Sequence, residues 1–318
     1  MLEFQTRLQD RLHTNNLKTL FDVHSIPKAT QLRDVVDTIP PESLYPVFSD
    51  YFRSLQRSKQ LEKFQFLNGM YLMPVDGVQY FSSKTISCPG CLTKKHRNGD
   101  TTYSHQALGV SIVHPDMRQV IPLAPEPIQN IDGSSKQDCE RNAGKRLLNR
   151  IRSTHPKLKI TITGDGLYSN QPFIDALKKN RMSFILVAKP GDHKFLFNCL
   201  SIIKQLKKIN TLEFIDSKGR RHLYEWVNGV ALNGTEQADN VNFFEYTIIS
   251  NDKIFFHCSW VTDIPIEEAN VKMLVKGGRA RWKIENENFN PLKNLGYHAE
   301  HNFGHGQEHA SFNFFCSF

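Results

Sequence analysis

Asp76 closes an apolar run, Tyr71-Leu72-Met73-Pro74-Val75-Asp76-Gly77, and Asp165 closes a second, Lys159-Ile160-Thr161-Ile162-Thr163-Gly164-Asp165-Gly166. Glu285 lies in a helix-like segment, Arg279-Ala280-Arg281-Trp282-Lys283-Ile284-Glu285. Two strand-end aspartates and one helical glutamate can converge as oxygen ligands for a pair of Mg²⁺ ions, the apparatus of in-line phosphoryl transfer. Taken singly, an Asp-Gly after a strand reads as a turn and a helical Glu as a solvated face. The three acquire meaning together, at fitting points of one topology.

The elements that must hold them can be read from periodicity. Residues 1–68 show apolar positions at helical spacing (Leu17, Leu20, Phe21; Leu44, Phe48, Phe52, Leu55), broken by Pro27, Pro40 and Pro41. Strand-like runs follow at 69–76, 106–113 and 119–124, joined by a long polar excursion at 82–104 and a His114-Pro115-Asp116 turn. A helix is expected over 138–152, with Ala143, Leu147, Leu148 and Ile151 inward and Arg141, Lys145 and Arg152 outward. Then come a strand at 159–163, a helix at 171–180 and a strand at 182–188. Three strands, helix, strand, helix, strand is the order of a ribonuclease H-like α/β core, a mixed sheet with flanking helices. After a short amphipathic helix at 196–208, β-rich runs at 212–215, 221–231, 242–250 and 253–262 read as an inserted all-β subdomain, and helical pattern resumes near Pro265. The expected organisation is an N-terminal helical region (1–68), the first part of the core (69–195), a β-rich insertion (196–264) and the second part of the core (265–318).

The net charge of the 318-residue chain is +8. Residues 136–220 hold 18 Lys and Arg against 7 Asp and Glu, a surplus of 11 that exceeds the total, so the remainder is slightly acidic. A basic block around Asp165 suits a groove for a phosphate backbone, although a charge excess alone also fits a solvated lysine-rich surface. No run approaches the roughly 18 apolar residues of a membrane span, and Glu3 and Asp10 stand where a signal peptide would be basic and then apolar. Six cysteines in a chain of this length do not make a disulfide scaffold. A cytoplasmic protein without a membrane partner is expected.

With these residues in view, the chain resembles the bacterial insertion-sequence transposases of the DDE type, in the branch with a β-rich insert between the second Asp and the Glu. The resemblance spans roughly residues 15–310. It rests on Val75-Asp76-Gly77, on Gly164-Asp165-Gly166-Leu167-Tyr168, and on Arg281-Trp282-Lys283-Ile284-Glu285 followed by Pro291-Leu292-Lys293-Asn294. In such enzymes the last motif reads Tyr, two residues, Arg, three residues, Glu, six residues, Lys. Here Arg281 and Glu285 keep their spacing, Gly278 takes the tyrosine position, and Lys293 falls one residue late, which sets Glu285 against Glu287 as the carboxylate facing the metals; the intact string around Glu285 favours it. The resemblance implies that Asp76, Asp165 and Glu285 bind two Mg²⁺ or Mn²⁺ ions and that Arg281 and Lys293 clamp phosphates. It also implies that Tyr168 contacts DNA near the cut, and that a homodimer acts on double-stranded DNA in a synaptic complex near the nucleoid. A decayed relative that only binds DNA and a structure-specific nuclease are the competing readings.

Further constellations remain. Cys88-Pro89-Gly90-Cys91 with His96 and His105 has ligand spacing for a structural Zn²⁺, and fits a Pro-Gly turn carrying two reduced thiols slightly better. His298, His301, His305 and His309 form a row interrupted by Gly304 and Gly306, which fits phosphate contacts or a glycine-rich turn better than a metal site. Cys139, Trp226 and Trp260 read as packing residues, and Trp282 as the anchor of the catalytic helix on the sheet. The chain ends on Phe312, Phe314, Phe315 and Phe318 where the resemblance implies another helix, so a truncated copy is expected.

Overall fold

The computed structural model describes residues 19–20, 22–23, 28–130, 137–235, 238–297 and 299. Leu17, Phe21, the four histidines from His298 onward and the phenylalanine tail lie outside the described residues. Ahead of the sheet come α1 (Ala29–Asp37) and α2 (Tyr45–Arg57), the latter opening on Pro46, whose missing N–H is no loss in a first turn. Phe52 of α2 is buried in the main core, while Leu44, Phe48 and Leu55 are half-buried.

The sheet is built from β1 (Tyr71–Ser83), β2 (Leu92–Lys95), β3 (Thr101–Val113), β4 (Val120–Ile128), β5 (Ile160–Gly164) and β6 (Ser183–Val187). β3 lies antiparallel to β1 on one side and to β2 and β4 on the other, whereas β5 and β6 run parallel beyond β1. All five residues of β5 are buried, as expected where helices cover both faces of a parallel pair. On one face pack α3 (Glu140–Thr154), α4 (Gln171–Lys179) and α5 (Lys194–Gln205), through Leu147, Leu148, Phe173, Leu177, Leu196 and Leu200. This is a mixed α/β, ribonuclease H-like architecture.

Three details depart from expectation. β1 and β3 are each 13 residues long, so Asp76 lies inside its strand rather than at its end, and the polar excursion at 82–104 contains β2. Polar Gln79, Ser82 and Ser83 lie on the part of the β1–β3 hairpin that reaches into solvent, which hides the strand from an apolar-run criterion. The insert also forms no sheet of its own. Its strands β7 (Asn210–Ile215), β8 (Arg221–Ala231), β9 (Asn240–Ser250) and β10 (Lys253–Thr262) continue the core sheet, because β10 pairs antiparallel with β6 through Trp260↔Val187, Val261↔Leu186 and Thr262↔Ile185.

The chain then crosses the other face as α6 (Glu268–Arg279), seated on Ile185, Phe244 and Trp260 through Val271, Leu274 and Val275. The helix does not continue regularly. A 3-10 turn, Ala280–Trp282, is followed by π-helical turns, Ile284–Phe289, and by the short α7 (Asn290–Asn294). Among the described residues, no helix is long and apolar enough to cross a membrane.

The π-helical segment sits on β3 because Gly109 has no side chain: a Cβ there would lie 2.5 Å from Cε1 of Phe289. Gly109 is the cross-strand neighbour of Asp76. Gly109→Ala should therefore lift the segment from the sheet and destabilise the protein by about 1–3 kcal/mol, the usual cost of overpacking. Chemical denaturation would measure it; an unchanged midpoint would contradict the packing argument.

Candidate active site

The last parallel pair between β1 and β5 is Pro74↔Thr163. Asp76 stands two residues further along β1 and Asp165 follows the last residue of β5, so the register that pairs the strands brings both aspartates to the same end of the pair, where the Asp165 charge acts on Asp76. β5 has ended by then, leaving that edge of β1 open. Asp165 is fixed by its own turn: Oδ1 accepts the Leu167 N–H at 2.9 Å and its carbonyl accepts the Tyr168 N–H at 3.2 Å. Asp76 accepts the Gly77 N–H on Oδ1 at 3.0 Å and Nη1 of Arg281 on Oδ2 at 2.8 Å.

Arg281 comes from the 3-10 turn and Glu285 from the π-helical segment, and both act on Asp76. Burial pushes the Asp76 carboxyl above its ordinary range; Arg281 opposes this, while the charges of Asp165 and then Glu285 add to it. Glu285 is half-buried. Glu287 points elsewhere and accepts Nε of Arg118 at 3.1 Å. The structure thus brings Asp76, Asp165, Glu285 and Arg281 together. A π turn takes up one residue more than an α turn, so the one-residue lateness of Lys293 accords with the π-helical turns at Ile284–Phe289. Lys293 is half-buried on α7. Gly278 has a steric reason as well: a Cβ there would lie 2.6 Å from the buried Trp260 indole, so no tyrosine fits.

A fourth carboxylate, absent from the sequence reading, belongs to this group. Glu140 opens α3, where an acidic residue ordinarily passes as a complement to the helix dipole. Its side chain lies over Gly77, at which a Cβ would come within 2.4 Å of Oε1. Burial raises its pKa, a hydrogen bond donated by the Tyr168 hydroxyl at 3.2 Å lowers it, and the charges of Asp76 and Asp165 raise it again. The only sequence signal was the glycine directly after Asp76.

Several expected DNA contacts are corrected. Tyr168 is fully buried against Phe173 and spends its hydroxyl on Glu140, so its ring cannot stack on DNA. Arg152 donates to the carbonyls of Asn180, His155, Pro156, Leu158 and Arg181, which makes it an internal strut. Arg146 and Arg150 are likewise engaged, with Glu126 and nearby carbonyls. Arg141 and Lys145 are exposed on the first turns of α3. Trp226 and Trp260 are buried, but Trp282 is 58% exposed beneath the Arg281 guanidinium at 4.6 Å, rather than buried against the sheet as an anchor would be. His96 is exposed and bonds Thr102, apart from the cluster that Cys88, Cys91 and His105 form.

A ribonuclease H-like sheet with carboxylates gathered where β1 and β5 part defines a class of phosphoryl-transfer proteins. The family model of the transposase DDE domain matches residues 83–317, and the chain belongs to that family. The match begins past Asp76, so the place of that residue is carried by the strand register. No curated protein matches the chain.

Two outcomes follow from the electrostatics. Arg281 and Asp76 are 11% and 26% exposed, so Arg281→Ala should cost about 1–3 kcal/mol by leaving a half-buried charge without its partner. Asp76→Asn added to it should restore part of that loss in a double-mutant cycle; strict additivity would mean the pair is not coupled. Glu140 has a folded pKa above its ordinary 4.5, so its contribution to stability is intact below about pH 4.5 and lost as the pH rises through the raised value. Glu140→Gln, which keeps an acceptor for Tyr168, should melt above the wild type at pH 7 in EDTA and converge with it near pH 4. A lower melting point at pH 7 would contradict this.

Proposed function

We propose that this chain is a DNA transposase that holds two Mg²⁺ or Mn²⁺ ions on Asp76, Asp165 and Glu285, cuts DNA at transposon ends and joins the freed 3′ ends to target DNA. The observation that carries the reading is the convergence of these carboxylates on Asp76, with a nearly buried arginine paired to it, in a chain of the transposase DDE family. Family membership supports a transposase-type enzyme acting on DNA with divalent metals; the choice and number of ions, and the cutting and joining steps, are our reading.

The donor set fits such ions. It consists of carboxylate oxygens, which suit hard cations, and their mutual repulsion at Asp76 is the field that a cation relieves. Bound there, a metal pair supplies activation of water or of a DNA 3′-hydroxyl and stabilises the departing 3′-oxygen. The protein's own part is positional. The β1–β5 register fixes the two aspartates, the Asp165 turn orients its carboxylate, and the π-helical segment delivers Glu285. Arg281 spends one N–H on Asp76 and has a planar fork of five, which leaves donors for phosphate oxygens. Lys293 acts as a point charge on the same backbone, and Arg141 and Lys145 extend the contact along α3.

The test is a labelled transposon end with a plasmid target. Wild-type protein should nick and then join. Asp76→Asn, Asp165→Asn and Glu285→Gln should each abolish nicking with DNA affinity nearly unchanged, because carboxamides are poor Mg²⁺ ligands whereas affinity comes from Lys and Arg. Cutting without joining would identify a nuclease, and binding without cutting a DNA-binding relative. Neutralising Arg141 and Lys145 together should flatten the slope of log affinity against log salt by up to about 2, whereas Arg152→Ala should lower the melting temperature and leave the slope alone.

A further inference from the structure

Cys88 and Cys91 lie in the connection between β1 and β2, and His105 lies on β3 opposite Phe81. The two Sγ atoms are 3.7 Å apart, and Nε2 of His105 is 3.3 Å from Sγ of Cys88 and 3.5 Å from Sγ of Cys91. Tetrahedral zinc with Zn–S of about 2.3 Å and Zn–N of about 2.05 Å sets its ligands about 3.8 Å apart for S–S and about 3.6 Å for S–N. The observed triangle is close to one face of that tetrahedron. No disulfide links the cysteines. A hydrogen-bonded dyad accounts less well for the arrangement, since one imidazole nitrogen can donate or accept along one direction and here meets two sulfurs at nearly equal distance.

The local backbone is shaped for the same end. The Cys91 N–H bonds the Cys88 carbonyl at 3.1 Å, closing the turn, and the Cys88 N–H points at Sγ of Cys91 at 3.4 Å, the donor a thiolate would need. Cys91 and His105 are each 3% exposed. His105 is further held by Tyr80 and Phe81, with ring centroids at 5.9 and 5.6 Å. Residues 84–90 contain no buried side chain, so this connection has no apolar core to hold it to the hairpin.

We propose that Cys88, Cys91 and His105 bind one structural Zn²⁺, with water or another donor in the fourth position, and that the ion staples the β1–β2 connection to β3. This site is separate from the carboxylates: along β3, His105 is four residues from Gly109, the partner of Asp76, roughly 13 Å at strand rise. Its consequence reaches the groove of about 630 Å³ that runs from Thr93 and Lys94 of β2 to Glu140 and Leu167, because the staple sets where β2 stands.

Metal analysis of freshly purified, reduced full-length protein should find about one zinc per chain. The zinc should be lost in Cys88→Ser/Cys91→Ser and retained in His96→Ala and in Asp76→Asn, and chelation should lower the melting temperature by several degrees. Cobalt titrated into chelated wild-type protein should give tetrahedral d–d bands with thiolate-to-cobalt charge transfer, a readout that stands even if the double variant does not fold. Zinc-free reduced protein without cobalt charge transfer, or zinc retained in the double variant, would overturn the proposal.

Discussion

The site depends on forcing like charges together. The parallel pairing of β1 with β5 sets Asp76 next to Asp165, in a half-buried place where ionised carboxylates repel and are poorly solvated. A fold keeps such an arrangement only where the surrounding structure over-determines it. Here the rigid part is the sheet, whose middle strands are buried on both faces and cannot slip by one residue without reversing every side chain. Arg281 offsets part of the repulsion, and Glu140, from another helix, adds to it.

The helix that brings Glu285 obeys a second constraint. It must come close to β3, which Gly109 permits, and pass Trp260, which Gly278 permits. Between those two contacts the helix changes from α to 3-10 to π. Such irregular turns inside helices are often found at functional sites, where they re-aim side chains that a regular helix would spread over its surface. Asp76 on β1, Asp165 in the turn after β5, and Arg281 and Glu285 on the irregular continuation of α6 are each held by their own local geometry and meet at Asp76.

Much of this was legible in the chain. Apolar runs ending in Asp-Gly mark the two strands that carry the aspartates, and helical periodicity marks α3, α4 and α6, since burial on one face leaves a regular pattern. What stayed hidden follows from the same physics. The outer halves of β1 and β3 interleave buried Val78, Tyr80, Ser104 and His105 with polar Gln79, Ser82 and Thr102, so they form no apolar run and read as loop. Glu140 is one acidic residue at a helix start, a common feature, and its role depends on a glycine 63 positions earlier in the sequence. Tyr168 and Arg152 are of types that often contact DNA, yet the first fills the space beside Gly164 and the second gathers five carbonyls. Residue type alone does not distinguish a solvent-facing side chain from one that the fold has already used. The π-helical turns are likewise invisible to a periodicity of 3.6 residues, although the one-residue displacement of Lys293 was their trace.

The proposed divalent-metal centre is formed jointly by residues distant in sequence. Replacing Mg²⁺ with Fe²⁺ and generating hydroxyl radicals with ascorbate and peroxide cuts the polypeptide wherever the backbone lies next to the bound iron. Three cuts are predicted, near residues 76, 165 and 285, all suppressed by excess Mg²⁺ and all lost together in Asp76→Asn. Cuts confined to one of these positions, or unaffected by Mg²⁺, would contradict the account.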